Sequence, residues 1–491
     1  MTCNKKYRYY ISLDFGTIWN DIYPTNDVLI TWKRGNGQFF YRAESSEWKI
    51  IGYKNKAIFE KLYQKFRQPT WNTQKILVKI DYYSDNVTFT KQLFLGYVPY
   101  SGFFADRTQR IIKIKPKTYD NYSWYEEAKD IKVDLSSLTK YLVYGVQPEN
   151  VFGSYFMKLT DIMEYVLATV NGGLSFQSEL FTSDINPVNG TANGYKHILL
   201  QGGGYFLADI PEDYKPEITL ADLIDLFTKA FNCGWHINGN WFIVEHKNYY
   251  RNGMTYSGTP NVGVDLTDTS VYELKYQTIY NRNGNITGDR FSYEIDGFPR
   301  KITYKWGTEG DVTWSWLEYT HPGCDIEKNE EVRVTNFFTD PYWVQTFGNE
   351  PDNEKYFVAS CDPVNSPFVG YILKMGSNNA LGTARNAYMY FSRLLNEFHI
   401  YDCYFSSGKI HGFNKTFDFT KLKRIMIFDD FKFPHLEDFE FTDLIQVYLG
   451  IGEISTIKLN TDTGFFTATV ILDPRQIPSI ITPGPEIYPE P

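Results

Sequence analysis

The side chains best suited to bind a metal ion lie close together in the middle of the chain. They are Cys233, His236 and His246, with Asp222 upstream. A thiolate, two imidazoles and a carboxylate are ligand types that zinc prefers. However, His236 precedes a predicted turn and His246 lies near the end of the predicted hairpin, so the ligands would have to converge from different parts of one unit. We therefore expect no metal site here.

A second candidate is a carboxylate-rich stretch towards the C-terminal end of the sequence. Its members are Asp429, Asp430, Glu437, Asp438, Glu440 and Asp443. A glycosidase needs two carboxyl groups that face each other across a cleft, and sequence does not show that separation. Acidic loops of this kind are more typical of a solvated surface, so we predict no catalytic pair among these residues.

The remaining catalytic motifs are weaker still. The triple glycine Gly202-Gly203-Gly204 is not followed by the Lys-Ser pair or the helix start of a phosphate-binding loop. No nucleophile elbow, zinc-protease motif or dinucleotide-binding motif occurs in a suitable context. The sequence therefore predicts a protein that is not an enzyme, with no catalytic residues, no cofactor-binding residues, no metal ligands and no cofactor.

Aromatic residues offer a further alternative, a platform on which a sugar could stack. The candidates are Trp314, Trp316, Tyr342 and Trp343. Alternation along the segment from Asp311 to Tyr319 would put Trp314 and Trp316 on one face of a strand. Such a face is more often buried against a second sheet or a neighbouring subunit.

The element that must position these candidate metal ligands is a helix followed by a tight hairpin, from Ile218 to Tyr250. Thr219 is a predicted N-cap with Asp222 three residues later, as in a capping box. The apolar residues that follow repeat at helical spacing: Leu220, Leu223, Ile224, Phe227, Ala230 and Phe231. Asn232 and Gly234 are expected to end the helix. Alternating apolar residues around Asn238-Gly239 then predict a β-hairpin.

A similar pattern occurs upstream, between Leu159 and Phe176. Asp161, Ile162, Met163, Glu164 and Val166 align with Asp222, Leu223, Ile224, Asp225 and Phe227, and Asn171 and Gly173 align with Asn232 and Gly234. Two copies of helix, Asn-x-Gly and strand indicate a duplicated αβ module. Coincidence in the chemistry of helix ends is the alternative explanation.

Composition favours an α+β chain that is mostly β. With 491 residues and about 150 residues per domain, roughly three domains are expected. Aromatic residues make up 18% of the chain, a composition that favours strands over helical bundles. We predict an N-terminal β-rich domain over residues 1–150, with a polar boundary stretch from Thr118 to Lys132. Duplicated helix-hairpin modules follow over 151–265, then a second β-rich domain over 266–480 with one helix near 381–398, and a Pro-rich extended tail over 481–491.

Charge and cysteine content restrict the possible environments. The five cysteines are scattered, which favours a reducing site of synthesis, and no apolar run reaches the length of a membrane span. The first residues lack the apolar core of a signal peptide, so we expect neither export nor a membrane anchor. The net charge of −9 is mixed along the chain, and no basic stripe suggests nucleic-acid binding.

Four segments, taken in order, carry a resemblance to a known family. They are FLGYVPY (Phe94 to Tyr100), IIKIKPKTYDNYSW (Ile111 to Trp124), the segment from Thr219 to Tyr250, and GIGEISTIKLNTDTGFFTATVIL (Gly450 to Leu472). In this order they resemble the tail hub or baseplate hub proteins of bacteriophages, particularly large virion proteins of phages that infect Bacteroidetes, including the crAss-like group.

This resemblance implies two β-barrel-like domains with small αβ modules and a structural protein of the virion tail. It also implies a homo-oligomeric ring, three-fold or six-fold, that joins other phage tail proteins while phage DNA passes through the centre without specific binding. The host bacterial cytoplasm would be the site of synthesis. The loops Phe181 to Gly204 and Asn349 to Asn365 are expected to contact neighbours, because they are long and lack periodicity.

Two alternatives remain open from the sequence. A β-rich protein that binds or degrades glycans would explain the aromatic content and acidic loops, although no export signal supports it. A tail-fibre or receptor-binding subunit would share the virion setting, but it should carry a repetitive C-terminal shaft, and no such repeat is visible.

Overall fold

The computed structural model describes the N-terminal half of the chain almost continuously and the C-terminal half mainly through its strands. The described ranges are 6–35, 37–68, 75–84, 87–144, 153–196, 198–202 and 214–258, followed by separate strands from residue 262, residues 394 and 398, and the segment 450–472. All structural statements below concern these residues.

The described elements are mostly strands, as the composition predicts. The helices are α1 Lys56–Phe66, α2 Ser123–Ala128, α3 Leu159–Val170, α4 Glu179–Thr182, α5 Leu220–Phe231 and α6 Lys247–Arg251. The strands of the first half are β1 Tyr7–Ser12, β2 Asn20–Ile22, β3 Leu29–Lys33, β4 Arg42–Ser45, β5 Trp48–Ile51, β6 Leu77–Tyr83, β7 Phe89–Tyr97, β8 Phe103–Asp106, β9 Ile111–Ile114, β10 Lys117–Thr118, β11 Val133–Asp134, β12 Tyr141–Tyr144, β13 Gly153–Lys158, β14 Ser175–Gln177, β15 Ile198–Gly202, β16 Glu217–Ile218, β17 Cys233–Asn238 and β18 Trp241–His246. Those of the second half are β19 Val262–Asp265, β20 Glu273–Leu274, β21 Phe291–Tyr293, β22 Lys301–Trp306, β23 Trp316–Thr320, β24 Glu330–Thr335, β25 Phe337–Phe338, β26 Tyr356–Ser360, β27 Ser407–Ile410, β28 Phe413–Thr416, β29 Arg424–Lys432, β30 Leu444–Val447, β31 Gly450–Asn460 and β32 Phe466–Leu472.

The strands form several separate sheets. The first sheet has the order β10-β7-β6-β1-β2, and a smaller one has the order β5-β9-β8. Further sheets have the orders β12-β13-β15-β26-β25, β24-β22-β23-β27-β28, β14-β18-β17 and β11-β16. Among the described strands no sheet closes on itself, so the barrel-like domains implied by the resemblance stay a prediction.

The largest sheet joins the two ends of the described chain. Its main path is β19-β30-β31-β32-β29-β20, and β3 pairs antiparallel with β31, with Thr31 opposite Lys458. The same strand β3 pairs with β4 on its other side. An early hairpin is therefore an integral part of a sheet built from late strands.

Two hydrophobic cores organise the described residues. The N-terminal core combines residues from β1, β5, β6, β7, β9 and α1 with Ile454, Ile457, Leu459, Phe466, Ala468 and Val470 from the late strands. The central core surrounds α3 and α5 and also takes in Tyr125, Val133 and Leu135. Both cores therefore cross the predicted boundaries at residues 150 and 265, and the division into domains stays a prediction.

The helix and hairpin at the centre of the chain form largely as predicted. Thr219 and Asp222 make a complete capping box, in which each side chain accepts from the other residue's backbone N–H, and Asn232 ends the helix in a left-handed conformation with φ 50°. The hairpin turn is shifted by one residue from the prediction, because Asn238 pairs with Trp241 and leaves Gly239 and Asn240 as the loop. Gly239 has φ 57°, which suits the first position of a two-residue turn.

The upstream copy shares the helix and the strand but not the hairpin. α3 ends at Val170, and β14 then pairs parallel with β18, so that Phe176 lies opposite Phe242. Both post-helical strands, β14 and β17, thus flank the same central strand β18. This arrangement agrees with two related αβ units sharing one sheet, while duplication itself stays a prediction.

The remaining elements lie partly within and partly outside the described ranges. Two local elements are fully described: α1 is a helix in the N-terminal region, and the turn from Asn460 to Gly464 joins β31 and β32, with Gly464 at φ 73°. The helix predicted at 381–398 lies outside the described residues apart from Leu394 and Phe398, which are both buried in the central core. The tail 481–491 lies wholly outside them.

The capping box gives a first test of the local energetics. We expect Thr219→Ala to lower the free energy of unfolding by about 1 kcal/mol, because α5 loses the acceptor of the Asp222 backbone N–H. Urea unfolding followed by circular dichroism measures this change. Thr169→Ala is the matched control, since the Thr169 hydroxyl only bonds the backbone of its own helix. Equal effects of both substitutions would contradict the capping role.

Candidate functional site

The residues considered as zinc ligands lie on one hairpin but are already engaged. Cys233 and His246 are directly opposite each other on β17 and β18 and are fully buried. The Nδ1 atom of His246 accepts the Asn248 backbone N–H at 3.2 Å, and Nε2 lies 2.9 Å from the carbonyl oxygen of Phe398. A carbonyl only accepts, so Nε2 carries the proton and both ring nitrogens are used. His246 therefore ties β18 to a distant segment.

His236 lies apart from that pair, on the same hairpin. Its Nδ1 atom is 3.3 Å from the hydroxyl oxygen of Tyr250, and burial lowers the pKa of His236 to about 4. Asp222, the fourth possible ligand, serves the capping box instead. Among the described residues no group of three or more His, Cys, Asp or Glu side chains could hold a metal ion.

Glu245 is a buried carboxylate that the sequence analysis did not single out. Its oxygens accept the backbone N–H groups of Glu179 and Leu180 at the start of α4, and the Tyr256 hydroxyl donates to it at 2.7 Å. Burial is the main reason that the pKa of Glu245 rises to about 7. Glu245 thus anchors the beginning of the segment predicted as an exposed loop. The sequence signal for a buried carboxylate was the position of Glu245 within a largely apolar predicted strand, next to Val244.

The predicted contact loop Phe181 to Gly204 is partly a folded unit. Asn193 is fully buried, and its side-chain amide donates to the carbonyl oxygens of Leu180 and Ser183. Ile185 and Asp184 instead face solvent, with exposed fractions of 60% for the whole Ile185 residue and 88% for the Asp184 side chain. Of the other predicted loop, Asn349 to Asn365, only β26 is described.

A charged junction connects the two cores, and we define it as Arg34, Arg251 and Glu453. The Glu453 carboxylate accepts from Arg34 Nη1 at 3.2 Å and from Arg251 Nε. Arg251 is almost completely buried at the end of α6, whereas Arg34 follows β3 and Glu453 lies on β31. One carboxylate therefore holds two guanidinium groups from segments that are far apart in sequence.

An aromatic insertion accompanies the charged junction. The chain leaves β3, places Phe39 and Phe40 against the central hairpin, and returns as β4. Phe39 stacks on Tyr250 with ring centroids 3.8 Å apart, and backbone hydrogen bonds of 2.9 Å join it and Gly37 to Trp235. A Cβ atom on Gly234 would collide with the Phe39 ring. Gly234 is thus needed for this close approach, and α5 already ends at Asn232.

The solvent side of the first sheet carries an unusual row of aromatic and cationic side chains. We call it the cation–aromatic face: Arg8, Tyr10, Trp19, Lys75, Lys79, Tyr83, Tyr97 and Tyr119. The Arg8 guanidinium carbon lies 4.0 Å from the Tyr83 ring centroid, and Lys79 Nζ lies 4.7 Å and 5.0 Å from the Tyr10 and Trp19 centroids. Lys75 Nζ similarly lies near Tyr97 and Tyr119. Cations over aromatic rings are attracted by the ring quadrupole.

Asp81 lies beneath this face and is only 1% exposed. One of its oxygens accepts from Lys79 Nζ at 2.6 Å, while Oδ1 has no hydrogen-bond partner among the described residues. Burial raises the pKa of Asp81, and Lys79 partly opposes that change. Asp81 therefore fixes the Lys79 ammonium between the rings of Tyr10 and Trp19.

Most of the other candidate residues from the sequence lie outside the described ranges. Of the acidic stretch, Asp429 and Asp430 fall on β29, and the other four carboxylates lie outside the described residues. Gly202 ends β15, whereas Gly203 and Gly204 lie outside the description, as do Trp314, Tyr342 and Trp343. Trp316 begins β23. No helix within the described ranges is long and apolar enough to cross a membrane.

Comparison with solved structures finds tail proteins at low similarity. The prophage tail protein gp18 of Listeria monocytogenes EGD-e is 11% identical with a TM-score of 0.35, over 96% of this chain and 95% of that one. The 43 kDa tail protein of prophage MuSo2 from Shewanella oneidensis is 10% identical with a TM-score of 0.36, over 95% and 99% of the two chains. The tail protein of Neisseria meningitidis MC58 is 9% identical with a TM-score of 0.36, over 95% and 96%.

These scores are too low for the likeness to carry a functional argument. No protein-family model matches the sequence, and the search of curated proteins finds no match either.

The charged junction yields a stability prediction. We expect Glu453→Gln to lower the free energy of unfolding by about 3 kcal/mol, because it removes the carboxylate charge that the buried Arg251 guanidinium contacts. Glu44→Gln is the matched control: Glu44 pairs with Lys33 at 2.7 Å, but both side chains are more than half exposed. That change should cost less than about 1 kcal/mol. Chemical denaturation of both variants compares the two costs, and similar losses would refute a structural role for the junction.

Glu245 yields a pH prediction. Its folded-state pKa of about 7 lies above the ordinary value of 4.5, so its contribution to stability is complete below pH 4.5 and is lost as the pH rises through 7. We expect the unfolding free energy of the wild type, relative to that of Glu245→Gln, to fall by about 2–3 kcal/mol across this range. Urea unfolding at a series of pH values measures it. The contribution of His236 cancels because both proteins retain it, and parallel pH profiles would contradict the prediction.

Proposed function

We propose that the protein is a structural subunit of a bacteriophage tail, a tail hub that forms a ring around the DNA channel and joins other tail components. The sequence resemblance to phage hub proteins, spread over segments from Phe94 to Leu472, motivates this proposal. The observation that carries it in the fold is the connection of the two cores through the charged junction and the β3–β31 pairing.

This connection suits a protein that must keep its shape under mechanical force. A hub has to hold neighbouring proteins at fixed positions while the tail contracts or ejects DNA, so a flexible link between its parts would be a disadvantage. Here the link consists of a strand pairing of five residue pairs, a stacked Phe39–Tyr250 contact and a partly buried ion network. Local opening is least favourable where buried contacts and protected hydrogen bonds are dense.

The proposed partners follow from the same role. Identical subunits would form a three-fold or six-fold ring, and other phage tail proteins would bind above and below it. The negative net charge of −9 suits DNA that passes through without specific binding, because tight phosphate binding needs clustered Lys and Arg. We place the protein in the virion tail, after synthesis in the host bacterial cytoplasm, and assign it no enzymatic activity.

The exposed rim of the Phe181 to Gly204 loop is one proposed contact with neighbours. Glu245 and Asn193 fix the base of this loop, while Asp184 and Ile185 project from it. A rigid base with an exposed tip would let the loop reach a partner with little loss of conformational entropy.

Imaging of the full-length protein tests the proposal. We expect negative-stain class averages at high protein concentration to show closed rings with an open centre and three-fold or six-fold symmetry. Mass photometry over a dilution series checks that the rings dissociate reversibly. A protein that stays monomeric at every concentration would count against a self-assembling hub, and specific binding of a neutral glycan would favour the glycan-binding alternative.

A further inference from the structure

The cation–aromatic face has the composition of a protein interface. An antiparallel sheet can leave one face to solvent, and that face is normally polar. This one instead presents Arg8 and Tyr10 on β1, Tyr83 on β6 and Trp19 just before β2, with Tyr10 opposite Lys79 and Arg8 opposite Asp81. Tyr, Trp and Arg are the residues most enriched among the energetically important positions of interfaces.

The cations on this face are held in place before any partner arrives. Lys79 is fixed by the Asp81 carboxylate and two rings, and Arg8 lies over Tyr83. The Tyr10 hydroxyl also bonds the Tyr83 hydroxyl at 2.9 Å. Because these side chains are already ordered, binding would cost less rotamer entropy than on a typical lysine-rich surface.

The position of the cations also decides between classes of partner. A sugar or a nucleic-acid base would need an open ring face for stacking. On this face Lys75, Lys79 and Arg8 each lie over rings, which are therefore occupied. Among the described residues, the carboxylates next to this row include Asp81, which is bound to Lys79, and Asp21 near Tyr10. A protein surface with projecting carboxylates fits this arrangement best.

One end of the face carries exposed apolar side chains in a rigid turn. Phe15 has φ 59°, a strained conformation for a bulky residue, and the turn is closed by hydrogen bonds from Gly16 N to Ser12 and from Ile18 N to Asp14. Phe15 and Ile18 are 53% and 61% exposed, and Phe15 also contacts Tyr119. An interface on this face would bury both apolar side chains.

A surface of opposite character lies on the same chain, at helix α2. Glu127 and Asp130 are exposed there, next to Ile131, which is 49% exposed. The neighbouring Glu126 is instead paired with Lys129 at 2.8 Å and lies 3.7 Å from Arg42 Nη1. We define the acidic helix surface as Glu127, Asp130 and Ile131.

We propose that the cation–aromatic face of one subunit binds the acidic helix surface of a second copy of the same chain. This rests on the proposed ring and names its interface. A closed ring requires two different, complementary patches on each subunit, and these two surfaces complement each other in charge and both include exposed apolar side chains. Arg8 and Lys75 contact Glu127 and Asp130 across the interface, while Phe15 and Ile18 pack near Ile131.

Two neutralised variants of the full-length protein test this pairing. The face variant is Arg8→Gln with Lys75→Gln, and the helix variant is Glu127→Gln with Asp130→Asn. Each should raise the concentration at half-assembly by about tenfold or more, as loss of two charge pairs would. Mixed in equal amounts, they should form dimers of one copy each and no larger species, because each supplies the intact surface that the other lacks. Mass photometry distinguishes these species.

The controls separate this interface from the proposed function. Lys54→Gln with Lys115→Gln makes the same charge change as the face variant at exposed positions outside both surfaces and should assemble like the wild type. Equal thermal unfolding midpoints exclude misfolding as the cause. Wild-type rings with unchanged assembly of both variants would overturn the interface and leave the hub intact, as would a mixture without dimers. A wild type that forms no ring would overturn both proposals.

Discussion

The fold depends on a single carboxylate that two arginines share. Glu453 on β31 receives Arg34 from the end of β3 and Arg251 from the end of α6, so it fixes three segments that the sequence keeps far apart. Removing two or three charges from water is costly, and the mutual attraction offsets this only when the geometry is satisfied. The ion network is therefore satisfied in one relative orientation of the two cores, and other orientations would leave buried charges unpaired.

The aromatic insertion beside this carboxylate serves the same end by different physics. Phe39 and Phe40 leave the strand pairing of the N-terminal core and bury themselves against Tyr250, Tyr122 and Trp235. Their contacts are non-directional and favour closeness, whereas the ion network favours one orientation. Gly234 allows the rings to approach because it has no Cβ atom at the contact. The aromatic contacts and the ion network together determine how the two cores pack against each other.

Local features could be predicted from the sequence, and long-range ones could not. The capping box of Thr219 and Asp222 involves neighbours in sequence, so its pattern is visible directly. The sequence predicts the hairpin turn at Asn238-Gly239, whereas in the structure the turn is Gly239-Asn240. Both residue pairs suit a two-residue turn, and the register of the two strands decides between them. The sequence offers His246 as a possible metal ligand, whereas in the fold His246 bonds the carbonyl oxygen of Phe398 and Glu245 holds the start of α4, and both contacts join residues that are remote in sequence. No local sequence pattern predicts that Glu453 forms ion pairs with Arg34 and Arg251.

The pairing of β3 with β31 has a consequence for how the chain is made. A ribosome releases residues 29–45 long before residues 450–472, so the N-terminal core lacks Ile457, Leu459 and Val470 during most of synthesis. Until those strands emerge, one edge of β3 and part of an apolar surface are uncovered, a state prone to non-native association. Folding is slow when contacts are this remote in sequence. A chain that is truncated before β31 and β32 therefore cannot complete its N-terminal core, so only a product that contains both strands can fold stably.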